Sequence, residues 1–226
     1  MKSIIIGQGE IGKSLHKVIG GEITEKTDIS GEYDIIHICF PYDENFISEV
    51  KRYQTLYSSK YTVIHSTVPV GTSRKCNAIH SPVEGIHPYL EQSLKTFTKL
   101  LGGGKAGEVA DYFRRKGIKV YITDKSETTE LMKLMSTTFY GTCIEFTKDV
   151  KRQCNKFKVP FELWTLYNII YNQGYTDLGE KQFVRPNLIP NMQKIAGHCV
   201  LPNANLIKTK FTKLLQKLNT RKKFEN

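Results

Sequence analysis

Apolar positions along this 226-residue chain change their rhythm near residue 124. Before that point short apolar runs alternate with amphipathic stretches. Ser3-Ile4-Ile5-Ile6 is the first run, and helix-forming residues follow from Lys13 to Ile19. Tyr33 to Phe40 reads as a buried strand stopped by Pro41. Asn45 to Tyr57 repeats apolar residues at helical spacing through Phe46, Ile47, Val50 and Tyr53. Tyr61 to His65 is a further strand, and Thr98 to Leu101 another, ended by Gly102-Gly103-Gly104. Ala106 to Lys116 reads as a helix and Ile118 to Ile122 as the last strand. Strands that alternate with helices predict a parallel sheet covered on both faces.

From Ser126 the helical period takes over. Glu127 to Lys156 has no break except Gly141, and Leu131, Leu134, Met135, Thr138, Phe139, Thr142 and Phe146 supply its apolar stripe. Pro160 opens another helix through Trp164, Leu166 and Ile170. A loop-rich stretch runs from Gly174 to Pro202. Leu206, Ile207, Phe211, Leu214, Leu215 and Leu218 then recur as one face of a basic amphipathic helix with a frayed tail. The expected domains are 1–124, an α/β domain, and 125–226, an all-helical domain with a basic C-terminal tail.

Chemistry enters at the first strand. Gly7-Gln8-Gly9-Glu10-Ile11-Gly12 joins it to the first helix. Gly7 permits a tight turn, Gly9 keeps side chains away from a pyrophosphate, and Gly12 lets the helix pack closely on the strand. Strand, glycine turn and helix in this order predict a Rossmann-type doubly wound parallel sheet. An acid at the end of the second strand would hold the adenosine ribose. Glu25 and Asp28 are the acids so placed, and the segment from Gly20 to Tyr33 leaves no room for a helix. The adenosine half is therefore abridged. Either acid would disfavour a 2′-phosphate, so the expectation is NAD, with NADP not excluded.

Composition narrows the class. No stretch is apolar for long enough to span a bilayer, and the glycine turn interrupts any leader-like start. Five cysteines, odd in number and without a CxxC pair, argue against a disulfide scaffold or a zinc site and favour a reducing cytoplasm. The net charge of +11 favours acidic partners such as nucleotides, phosphosugars or nucleic acid. Much of the excess lies at Lys208, Lys210, Lys213, Lys217, Arg221, Lys222 and Lys223. That is a solvated face or a nucleic-acid surface, though no aromatics interleave those lysines as stacking platforms.

Several other residues are candidates for chemistry. Lys133 sits among apolar neighbours on the long helix, with Glu130 and Thr137 near the same face. It is either an acid/base or oxyanion donor or a lysine on the solvated stripe. Cys199 follows His198 in Ala196-Gly197-His198-Cys199, before Pro202 and Asn203. It is either a thiolate nucleophile or an inert buried cysteine. Ser66-Thr67-Val68-Pro69-Val70-Gly71-Thr72 follows a strand directly, where ribose or phosphate would sit, or where a turn caps a helix. Ser81 to Pro88 carries Glu84 and His87 as possible proton-transfer groups, or is a satisfied surface loop.

Together these elements resemble the UDP-glucose/GDP-mannose dehydrogenase family over roughly Met1 to Asn205. The resemblance rests on the glycine turn, the strand ending Phe40-Pro41, the Ser66–Thr72 loop, the Ser-Pro-x-Glu-like loop, Glu130-x-x-Lys133, and Gly197-His198-Cys199. It implies that Gly7, Gly9 and Gly12 hold the NAD pyrophosphate and that Thr67 lies near the nicotinamide. Gln8, Glu10, Ile11, Pro41 and Ser66 complete the cofactor-binding set, with Glu25 on the ribose. Glu84 matches the family glutamate, displaced by one residue. Lys133 matches the lysine that stabilises negative charge on the substrate oxygen. Cys199 matches the nucleophile that captures an aldehyde as a thiohemiacetal; a second hydride transfer gives a thioester, and water releases the carboxylate. Thr137 stands where the family has asparagine, and Asn203 where it has aspartate. The expectation from the sequence given is that the family's third, nucleotide-gripping domain is absent.

The resulting expectation is an NAD(P)-dependent oxidoreductase acting on a hydroxyl of a sugar or sugar nucleotide, with Lys133 and Cys199 facing the nicotinamide. Thr137, His198 and Asn203 complete the candidate catalytic set. The alternatives are a two-electron dehydrogenase of hydroxyacid or phosphogluconate type, in which Lys133 matters and Cys199 does not, and a non-catalytic Rossmann module binding nucleotide or nucleic acid. The long helix favours a homodimer, since such a helix needs a partner for its second face.

Overall fold

Ile4, Ile5 and Ile6 are each 0% exposed because β1 (Ser3–Ile6) is covered on both faces. Alternation decides which core each side chain joins. Ile5, Ile35 and Val63 pack with Leu15 and Phe113 on one face, and Ile4, Ile6, Ile36 and Ile38 pack with Phe46 and Tyr53 on the other. The structure, a computed structural model, describes residues 1–25, 31–197 and 199–220. It divides into two compact units, Met1–Leu134 and Met135–Asn226.

In the first unit the elements run β1, α1 (Glu10–Ile19), β2 (Glu22–Thr24), β3 (Ile35–Ile38), α2 (Phe46–Leu56), β4 (Tyr61–Ile64) and α3 (Thr72–Lys75). Then come β5 (Ile79–His80), α4 (Leu90–Thr96), β6 (Lys99–Gly102), α5 (Ala106–Arg114), β7 (Val120–Thr123) and the start of α6 (Ser126–Phe157). The strands form one seven-stranded sheet in the order β2-β1-β3-β4-β5-β6-β7. Among the described residues no helix lies between β2 and β3.

The sheet is parallel, as expected, except at one place. β5 pairs antiparallel with β6, through His80 and Gly102, while the other neighbours are parallel. Pro82 has no amide hydrogen to extend β5. The chain crosses the carboxyl edge of the sheet through the 83–89 loop and α4, which Lys17–Glu91 ties to α1, and enters β6 from that edge.

The second unit takes the rest of α6, with α7 (Phe161–Asp177), α8 (Val200–Asn205) and α9 (Lys210–Thr220). The stretch expected to be loops holds the last turn of α7, a 3-10 turn at Lys181–Phe183, and the start of α8. Pro202 sits within the first turn of α8, where proline is tolerated. The terminal helix begins at Lys210 rather than at Leu206. Thr209 and Thr212 exchange backbone-to-hydroxyl hydrogen bonds at 2.8 and 3.1 Å, a reciprocal cap that sets its start. Gly141 admits α8 and α9 to the side of α6, because a Cβ there would lie 2.5 Å from Val200 Cγ1 and 2.7 Å from Leu215 Cδ2. Among the described residues no helix is long and apolar enough to cross a membrane. Arg221, Lys222 and Lys223 of the expected basic tail lie outside the described residues.

Candidate active site

The carboxyl ends of β1 to β5 share one edge of the sheet, and the sequence places its candidate loops there. Gly7 has φ 110°, and a Cβ on it would lie 3.0 Å from the Cys39 carbonyl carbon and the Phe40 nitrogen. A Cβ on Gly12 would lie 1.8 Å from the Gly7 oxygen, so this contact admits only glycine. Nothing lies within 4 Å of the Cβ direction at Gly9. Gly9 caps α1 without a side-chain hydrogen bond, so among the described residues the amides of the first turn have no capping side chain, and they have no intrahelical acceptor. Such an N-terminus is suited to phosphate oxygens. Gln8 is half-buried. Ile11 is partly buried and packs against the core. Glu10 is exposed, with its carboxylate 3.1 Å from His87 Nδ1. Glu25 is exposed directly after β2, and Asp28 lies outside the described residues.

Two further loops close on this edge. Ser66 donates its hydroxyl to the Phe40 carbonyl at 2.5 Å, tying the end of β4 to the end of β3 beside exposed Pro41 and half-buried Thr67. Gly71 and Ser73 donate their amides to the buried Glu130 carboxylate at 2.5 and 2.7 Å. Glu130 therefore caps α3 from α6. It fixes the Ser66–Thr72 loop, a structural task that its place near Lys133 in the sequence did not suggest.

Lys133 is not on a solvated stripe. Its side chain is 13% exposed, and Nζ donates to the Val83 carbonyl at 2.7 Å and to Glu84 Oε2 at 3.0 Å. The loop after β5 and the start of α6 thus bring together two residues that the sequence separates.

A buried polar chain beneath this loop went unread in the sequence. His65 Nδ1 lies 2.9 Å from the Ser81 carbonyl and must donate to it. His65 Nε2 then accepts from His37 Nδ1 at 3.0 Å, which leaves the buried His37 Nε2 without a partner. His80 joins Thr129 Oγ1 at 2.8 Å and the Ser66 carbonyl at 3.2 Å. Lys99, 5% exposed, donates to the Ser81 carbonyl at 3.2 Å and reaches Pro82 at 3.5 Å. Burial pushes Lys99 down to about 7 and His37 and His80 to about 3, and holds His65 well below its usual range. The available signal was a single polar residue inside an apolar run, such as His37 in Ile35-Ile36-His37-Ile38.

In the second unit Cys199 is exposed and stands at the N-cap position of α8 without a side-chain hydrogen bond there, unlike the buried Cys39, Cys76 and Cys154. His198 lies outside the described residues. Asn203 is buried and its side-chain amide lies 3.4 Å from Thr137 Oγ1. Thr137 on α6 and Asn203 on α8 thus face each other.

No protein-family model matches this sequence, and no curated protein sequence matches it. Solved structures do match. A UDP-D-ManNAc dehydrogenase from Pyrococcus horikoshii aligns over 98% of this chain and 68% of its own, with TM-score 0.76 at 15% identity. A UDP-N-acetyl-mannosamine dehydrogenase from S. aureus aligns over 97% and 67%, with TM-score 0.62 at 16% identity. A 3-hydroxyisobutyrate dehydrogenase from Mycobacterium tuberculosis aligns over 97% and 92%, with TM-score 0.65 at 11% identity. The chain shares the fold of these proteins. The chain spans about two thirds of the length of the two UDP-sugar dehydrogenases.

Proposed function

We propose that this chain is an NAD(P)-dependent oxidoreductase acting on a hydroxyl of a sugar or sugar nucleotide. The observation that carries the reading is one sheet edge bearing both an uncapped glycine turn and a lysine held against a glutamate. The residues fit a dinucleotide. The amides after Gly9 would receive the pyrophosphate, Thr67 would lie toward the nicotinamide, and Glu25 would take the adenosine ribose, which favours NAD over NADP. Bound there, the cofactor supplies a hydride acceptor. Lys133 would hold the substrate hydroxyl and stabilise negative charge on its oxygen, while Glu84 and the Val83 carbonyl orient the ammonium.

Cys199 carries the second half of the proposal, as a thiol that captures an aldehyde product. Cys199→Ala should then stall at the aldehyde or lose turnover. Wild-type rates in that variant would leave a two-electron dehydrogenase. That simpler reading is supported by the match to 92% of a 3-hydroxyisobutyrate dehydrogenase.

A homodimer in a cytoplasmic setting belongs to the same proposal. Leu163, Leu166, Tyr167, Ile169 and Ile170 of α7 and Phe139 of α6 are all exposed, an apolar surface of the kind that association covers. Sedimentation at micromolar concentration tests it: a monomer contradicts it. Retention on nucleic acid without cofactor binding would favour the binding-module alternative instead.

A further inference from the structure

The loop that carries Glu84 leaves the sheet abruptly. Ser81 makes the last ladder contact, its amide donating to the Ile64 carbonyl at 2.8 Å. Pro82 then has no amide to give, so strand pairing stops fixing the backbone two residues before Glu84. Buried carbonyls still need donors. The structure supplies them from lysine side chains on two other elements. Lys99, from β6, lies 3.2 Å from the Ser81 oxygen and 3.5 Å from the Pro82 oxygen. Lys133, from α6, takes the Val83 oxygen at 2.7 Å and Glu84 Oε2 at 3.0 Å.

Consecutive peptide groups are thus gripped from two directions, and Glu84 meets Lys133 at the end of the gripped segment. We propose that Lys99 is the positioning residue of this site: by holding the Ser81 and Pro82 carbonyls it sets where Glu84 meets Lys133. A lysine is a costly core filler, because a methionine fills similar space without burying an amine. The Lys99 amine also shares the Ser81 oxygen with His65 Nδ1, itself backed by His37. The inference rests on the dehydrogenase reading for its catalytic meaning, but its geometric content does not.

The test is zero-length cross-linking of Lys133 to Glu84 with a water-soluble carbodiimide, read by peptide mass spectrometry in the full chain without cofactor. The reagent activates the Glu84 carboxyl and the Lys133 amine displaces it, giving an amide. The exposed pair Lys17–Glu91, on α1 and α4, is the internal standard. Lys99→Met should lower the Lys133–Glu84 yield by about tenfold, because proximity is lost with small displacements, while Lys17–Glu91 stays unchanged. In turnover the same variant should lower kcat and leave the KM for cofactor unchanged. A folded Lys99→Met protein with the wild-type Lys133–Glu84 yield overturns the proposal. If Lys99→Met fails to fold, Lys99→Gln is read the same way. If both variants unfold, Lys99 belongs to the scaffold alone and the proposal is likewise overturned. The cross-link needs neither cofactor nor substrate, so failure of the dehydrogenase reading would show separately, as wild-type protein that cross-links but binds no cofactor.

Discussion

Lys133 Nζ lies 3.0 Å from Glu84 Oε2, joining the long helix to the loop after β5. The pair is part-buried, so replacing the ammonium removes more than a surface contact. Lys133→Met should lower turnover by about 10²–10⁴-fold, the range expected for a lost acid–base or charge-stabilising group. Cofactor affinity should stay within a few-fold of wild type, because the glycine turn is untouched. Steady-state kinetics with a separate cofactor titration check both parts. Equal losses in turnover and cofactor affinity would mean that Lys133 serves the fold.

Glu130 offers a stability prediction independent of function. Its buried carboxylate accepts the Gly71 and Ser73 amides. Glu130→Ala leaves both without that acceptor and should cost about 1–3 kcal/mol. Denaturant unfolding of the two proteins measures it. A change under a few tenths of a kcal/mol would show that the Ser66–Thr72 loop holds itself.

Stability should depend on pH in two windows. Lys99 is lowered by burial to about 7, below its usual 10.5, so between those values the unfolded chain binds more protons than the folded one. Stability therefore rises with pH above 7, by at most about 1.4 kcal/mol per unit from this group. Lys99→Met should flatten the rise and raise stability at pH 6. The second window is acidic. His37 and His80 are lowered by burial to about 3, so they remain neutral when folded, and stability falls as pH drops from about 6.5 toward 3. Unfolding free energies from pH 4 to 9 test both slopes. A flat wild-type profile above pH 7 would contradict the first.

Glu10 opposes the proposed ligand. It stands in the first turn of α1, beside the amides assigned to the pyrophosphate, and its partner is His87 at 3.1 Å. Glu10→Gln should tighten NADH binding by about two- to fivefold, the usual scale of one charge at a helix N-terminus. Weaker binding in that variant would mean that Glu10 contributes a contact of its own.

The fold was legible where one rule governed a segment. The run at Ser3–Ile6, the glycine turn and the long helical period after Ser126 each point one way, and each is present. β5 was missed because its two residues, Ile79 and His80, are too short for any period. The reversal of β6 follows from how Pro82 ends that strand, which is a tertiary event. At the site, Lys133 and Glu84 were both legible as residues, but their contact was not. It depends on α6 and the β5 loop meeting across 49 positions. The task of Glu130 is not legible in the sequence, because spacing on its own helix says nothing of the loop it caps. Lys99 was not read at all, because a lysine at the head of a strand looks like a solvated end until β5 and α5 bury it.

The oxidoreductase function proposed for this chain depends on a working cofactor site at the glycine turn. The most direct measurement is an NADH titration of the purified protein followed by fluorescence, with Gly9→Asp in parallel. Gly9 faces open space, so the aspartate should leave the fold intact while placing a negative charge where the phosphates would lie. The expected result is saturable binding that the variant loses. No binding by the wild-type protein up to millimolar NADH would contradict it, and would leave a dehydrogenase fold without its redox role.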